Sequence, residues 1–148
     1  METYISKVDH VKGMVDNEEA LGQEAMQLLD SHCTLCDEAT GSKKFLKAVF
    51  GKNLNRTILD LPSALIVPSL GQIVADYLLV FPKTHIPSWA SLAEAEFSNF
   101  EKAIIQAETL LRKVYEHYVL FEHGMDQAGV EKGCGITHAH VHLVPGKA

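Results

Sequence analysis

Every second residue from His138 to His142 is histidine, and the positions between and after them, Ala139, Val141 and Leu143, are apolar. A period of two is the pattern of a β-strand with one face in a core, because successive side chains point to opposite sides. Eight histidines in 148 residues would give such a run by chance in roughly 2% of chains of this composition. The spacing predicts a strand over 136–144, ended by Pro145-Gly146, with three imidazoles on one face at separations of about 7 Å.

Two chemistries fit a row of imidazoles, besides plain exposure on a wet face: a metal centre, and nucleophilic or acid–base work. A single catalytic zinc ion bound by all three, a third reading, is geometrically strained. Three successive same-face positions span about 13–14 Å, whereas ligands about 2.1 Å from one zinc lie within about 4 Å of each other. A second candidate pair, Cys33-Thr-Leu-Cys36, has three readings: a redox couple, two unbridged thiols, or half of a Cys₂His₂ zinc site. The redox reading needs a βαβ context that this region lacks.

The rest of the chain shows how the histidine strand is housed. Residues 17–29 are rich in Glu, Ala, Gln and Leu and are helix-prone, so 1–32 is expected to be a helical extension before a domain at 33–148. Short β-prone runs are expected at 45–50, 56–60, 63–67 and 73–81, punctuated by Gly51, Asn53, Pro62, Pro68, Gly71 and Pro82. Then Ala93, Phe97, Phe100, Ile104, Ala107, Leu111, Val114 and Tyr118 recur at steps of three and four, the spacing of one face of a long helix. Ser91 and Glu94 have the spacing of a capping box at its start. A strand at 119–122, a glycine-rich loop and the histidine strand complete an α+β domain with a mostly antiparallel sheet.

Composition excludes whole classes. Thirteen basic against nineteen acidic residues give a net charge of −6, the wrong sign for a protein that grips nucleic acid by its phosphates. The richest basic patch, Lys43, Lys44, Lys47, Lys52 and Arg56, is modest and reads as a solvated face. The most apolar stretch, 64–81, is broken by Pro68, Gly71, Gln72 and Asp76, so no membrane span is expected. Three cysteines do not form an even extracellular framework, which implies a reducing, cytoplasmic setting.

The run His138-Ala-His140-Val-His142-Leu-Val resembles the signature of the histidine triad (HIT) superfamily of nucleotide hydrolases and transferases. Supporting matches run in order through Cys33/Cys36, Val67-Pro-Ser-Leu-Gly71, Leu79-Val-Phe-Pro-Lys-Thr-His85 and Phe121-Glu-His-Gly124. The resemblance covers about residues 33–145 and implies a HIT-like fold, a nucleotide substrate and a homodimer. It implies that His140 attacks the α-phosphorus to give a nucleotidyl-histidine, which water then hydrolyses, and that His142 binds phosphate oxygens or assists the leaving group. It implies that the Gly133-Cys134-Gly135 loop and His123 line the substrate pocket; many relatives carry Ser, Thr or Gln where Cys134 stands.

The zinc-containing branch of the superfamily implies one structural zinc on Cys33, Cys36, His85 and His138. Four protein ligands make a closed site that braces the histidine strand and does not touch substrate. Trp89 is expected in the core or at a dimer surface. The other class of function compatible with these residues is a zinc-stabilised module that binds or senses nucleotide without turnover.

Overall fold

The computed structural model describes residues 33–123 and 137–146. The expected helical extension at 1–32 and the glycines and Cys134 of the 133–135 loop lie outside them. In chain order the elements are α1 (Thr34–Ala39), α2 (Lys44–Phe50), β1 (Leu59–Asp60), β2 (Ala64–Pro68), β3 (Leu78–Pro82), a 3-10 turn (Trp89–Ser91), α3 (Glu94–Leu111), β4 (His117–His123) and β5 (His140–Gly146). The five strands form one sheet in the order β1-β2-β3-β5-β4, antiparallel at every pairing. This is the α+β architecture with an antiparallel sheet expected from the sequence.

The alternation within β2 and β3 divides the core in two. Ala64, Ile66, Leu78 and Val80, with Val141 and Leu143 of β5, pack against Phe100, Ala103, Ile104, Ala107 and Leu111 of α3. Leu65, Val67, Leu79 and Phe81 project to the opposite face and meet Leu35 of α1, Tyr77 and the partly buried Cys33. With both faces covered, all five residues of β2 and of β3 are buried. The even-numbered histidines of β5 point to the α1 side, because the odd positions are committed to α3.

Several boundaries differ from expectation. The run at 45–50 is helix α2: Phe45, Leu46, Val49 and Phe50 fall on one helical face and join Leu54 in a small cluster. Gly51 closes it in the left-handed region at φ 69°, its N–H donating to Lys47 O, a conformation natural to glycine. Of the run at 56–60, only Leu59–Asp60 pairs. Arg56 is drawn inward to Glu38 on α1 (2.5 Å), so it is no part of a solvated basic face.

β3 begins at Leu78 and not at 73, because the chain first turns through Asp76 at φ 60°. Asx residues tolerate this region better than most, and the buried Asp76 carboxylate here accepts the Tyr115 hydroxyl at 2.5 Å.

The long helix is shorter than its apolar period. It starts after Ala93, whose N–H reaches the Glu96 carboxylate, since Ser91 is used in the 3-10 turn capped by the Ser88 hydroxyl. It ends at Leu111. Val114 is half exposed, and Tyr118 reaches the same core from β4 instead. Arg112 and Glu108 hold the Tyr118 hydroxyl where the chain folds back. Trp89 packs on Phe97 and Phe100, partly buried at the margin of the core.

β4 spans His117–His123, wider than the expected 119–122. β5 starts at His140 and runs through Pro145 and Gly146. β3 flanks it only at residues 141–143, so at Pro145 one side of the strand needs no ladder donor.

Candidate active site and metal centre

The later start of β5 changes the arrangement of the three histidines. His138 precedes the strand, held by the Ala139 N–H donating to Ile86 O at 2.7 Å, and its ring packs edge-on against Phe81 and His85. Its Nε2–H donates to Pro82 O at 2.7 Å. That bond leaves Nδ1 as the acceptor nitrogen, and Nδ1 lies 3.4 Å from both Cys33 Sγ and Cys36 Sγ. The expected row of three same-face imidazoles is thus one ring in a thiol cluster and two on a strand.

The thiols come from the start of α1. Cys33 is its N-cap and accepts the Cys36 N–H. His85, on the segment after β3, contributes Nδ1 at 3.1 Å from Cys36 Sγ. The four ligand atoms of Cys33, Cys36, His85 and His138 all lie within 4.8 Å of one another. A tetrahedral zinc with its usual bond lengths separates neighbouring ligand atoms by about 3.3–3.8 Å; the S···N contacts of 3.1–3.4 Å and the soft donor set suit that ion, and the wider spacings of the cluster would draw in on binding.

The protonation states are informative too. Burial, helped by the hydrogen bond and charge of Cys33, raises the Cys36 thiol to about 12. Burial lowers His138 to about 4, opposed by its bond to Pro82 and reinforced by His85 and His140. A neutral His138 is already in the form that binds metal.

His140 and His142 form a separate pair, with ring centroids 4.7 Å apart. His140 is 6% exposed, and its Nδ1 donates to the carbonyl of His138 at 2.7 Å. A carbonyl only accepts, so Nδ1 carries the proton and the lone pair is on Nε2. One residue therefore serves both centres: the His138 ring faces the thiols, and its carbonyl fixes the His140 tautomer.

His142 lies directly opposite Phe121 of β4, and the two rings stack at 4.7 Å and 11°. On its other side the Tyr77 hydroxyl lies 2.5 Å from Nδ1. Leu79 is the β3 partner of His142, so Tyr77 reaches it along the sheet diagonal.

The backbone of His123 pairs with His140 at the end of β4. Tyr77 and Phe121 were not singled out as site residues from the sequence. Parity could have found Tyr77, which shares a face with Leu79 and Phe81; the place of Phe121 depends on the register of β4 against β5. Glu122 anchors the segment after His85, accepting the Trp89 N–H at 2.7 Å.

No protein-family model matches the sequence, and no curated protein matches it. Solved structures do. A HIT family protein from Bacillus anthracis aligns with TM-score 0.59 at 18% identity, over 78% of this chain and 73% of that one. A HIT family hydrolase from Legionella pneumophila gives TM-score 0.56 at 19% identity, over 79% and 95%. A histidine triad nucleotide-binding protein from Candida albicans gives 0.57 at 15%, over 78% and 76%. At these identities the likeness is one of fold, and the fold of this chain is the HIT-like fold.

Proposed function

We propose that the chain is a HIT-superfamily nucleotide hydrolase or nucleotidyl transferase that works through a covalent intermediate on His140. The observation that carries this reading is the 2.7 Å bond from His140 Nδ1–H to the His138 carbonyl. It commits the Nε2 lone pair to the reacting side and leaves an acceptor beside the ring when it becomes cationic.

In the first step the Nε2–phosphorus bond forms and the bond from the α-phosphorus to the leaving group breaks. The leaving group departs with the electron pair and takes up a proton from solvent by way of the adjacent His142, and the proton that the attacking water loses in the second step returns to solvent. In the second step water, or another acceptor hydroxyl, attacks phosphorus, loses its proton and displaces the imidazole. Backbone N–H groups of Gly133, Cys134 and Gly135 are assigned to the phosphate oxygens, and His123 to the pocket wall, on the sequence resemblance.

Cys33, Cys36, His85 and His138 would hold one zinc ion, whose contribution when bound is to cross-link α1, the segment after β3 and the approach to β5. The functional unit is read as 33–148 with 1–32 as an extension, and as a homodimer. Edge strand β4, with Val119 and Phe121 60% and 43% exposed beside it, offers a second copy a sheet edge to pair with. Unbridged Cys33 and Cys36 fit a cytoplasmic location, and among the described residues no helix is long and apolar enough to cross a membrane.

The test is turnover of a nucleoside phosphoramidate, a dinucleoside polyphosphate and a nucleotide sugar by the parent chain and by His140→Ala. The parent is expected to turn over at least one, and His140→Ala to lose about 10³-fold or more in kcat while still binding it. Binding without turnover by the parent would favour the sensing module instead.

A further inference from the structure

We infer that Tyr77 is a positioning residue that holds His142 with its proton on Nε2, so that the ring meets substrate as a hydrogen-bond donor while its neighbour His140 meets it as a lone pair. The substrate half of this inference rests on the nucleotide reading above; the tautomer does not.

The two imidazoles are 4.7 Å apart and chemically identical, so a division of labour between them must come from what their Nδ1 atoms touch. At His140 the partner is a carbonyl oxygen, which forces Nδ1–H. At His142 the partner is a phenolic hydroxyl 2.5 Å away, and a hydroxyl can donate. Tyr77 is only 8% exposed, and Nδ1 of His142 is its one hydrogen-bond partner among the described residues. Donation to Nδ1 satisfies the phenol proton, whereas accepting from Nδ1–H would leave that proton without an acceptor in a nearly buried place. Burial also raises the Tyr77 phenol above its ordinary value, which keeps the proton on oxygen at neutral pH.

The surroundings fix Tyr77 in turn. Its carbonyl accepts the Ser69 N–H at 2.9 Å, and the preceding residue is Asp76, turned at φ 60° and tied to the Tyr115 hydroxyl. Phe121 stacks at 11° against His142, so the ring is held in its plane by one residue and in its rotation by the other.

The test is long-range ¹H–¹⁵N correlation on the histidine side chains of the full chain as purified, at a pH above the ordinary imidazole range. His140 is expected to carry its proton on Nδ1. His142 is expected to carry its proton on Nε2, with the Nδ1 resonance displaced by an accepted hydrogen bond. Tyr77→Phe should return that resonance to the position of an unbonded imine nitrogen, leave the His140 pattern in place, and lower kcat/KM by about 10- to 100-fold. A proton on Nδ1 of His142 in the parent chain, a measurement that needs no variant to fold, would overturn the inference. So would a His142 Nδ1 resonance unmoved by Tyr77→Phe. The signal is read without substrate, so its failure is separable from failure of the nucleotide reading.

Discussion

At the scale of single residues, His138 has two jobs that meet at one backbone position. Its ring turns into the thiol cluster and its carbonyl holds His140, so under the proposed function metal occupancy and the geometry of the proposed nucleophile would be joined through one residue. The protonation states give this a measurable form. The Cys36 thiol, raised to about 12, is protonated at neutral pH in the metal-free chain and must release that proton on binding zinc. His138, lowered to about 4, releases none above pH 6. Zinc affinity should therefore rise with pH, by about tenfold per unit for each thiol proton displaced. Calorimetry in two buffers of different ionisation heat should detect at least one proton released per ion, and buffer-independent heats would contradict the ligand set. Cys33→Ser should lower the zinc-loaded melting temperature much more than it lowers the rate of the chemical step.

Among the elements, α1 is the one on which the metal reading turns, and it is short: six residues with few apolar anchors. Its hold on the sheet includes the buried pair Glu38–Arg56, exposed by only 6% and 3% at the side chains, with Arg56 also donating to Pro68 O at 2.6 Å. Removing one member of such a pair strands the other charge. Arg56→Met should cost about 3–5 kcal/mol in a denaturant titration and weaken zinc binding; an unchanged midpoint would show that α1 is held by other contacts. The sequence hid this pair, because eighteen residues separate its members and Arg56 looked like one more surface cation. It also hid the end of α3, since no glycine or proline occurs between Leu111 and Gly124 and Tyr118 keeps the helical period from within a strand. The existence of β2 and β3 was legible as β-prone apolar runs between turn residues, and the core face of α3 at Phe100, Ile104, Ala107 and Leu111 was legible from its steps of three and four; which face of β2 and β3 each residue takes was not, because both strands are apolar throughout.

For the whole molecule, the order of elements sufficed for the α+β class, but only the folded chain brings Cys33, Cys36, His85 and His138 together from three separate segments. Spacing alone left the cysteine pair with three readings; the choice among them depends on contacts across about a hundred residues of sequence. The Tyr77 contact was illegible for the same reason, as it depends on the register of β3 against β5. At this scale the proposed homodimer also has a simple test. Val119→Asp on edge strand β4 should shift sedimentation from dimer towards monomer, whereas a parent chain that sediments as a monomer would remove the dimer from the account. The proposed function stands or falls on a bond between His140 and phosphorus. Rapid quench with an α-³²P-labelled nucleotide, followed by peptide mapping under alkaline conditions that preserve phosphohistidine, should find the label on His140 within one turnover. Label on Cys134, His123 or His142, or full turnover by His140→Ala, would contradict it.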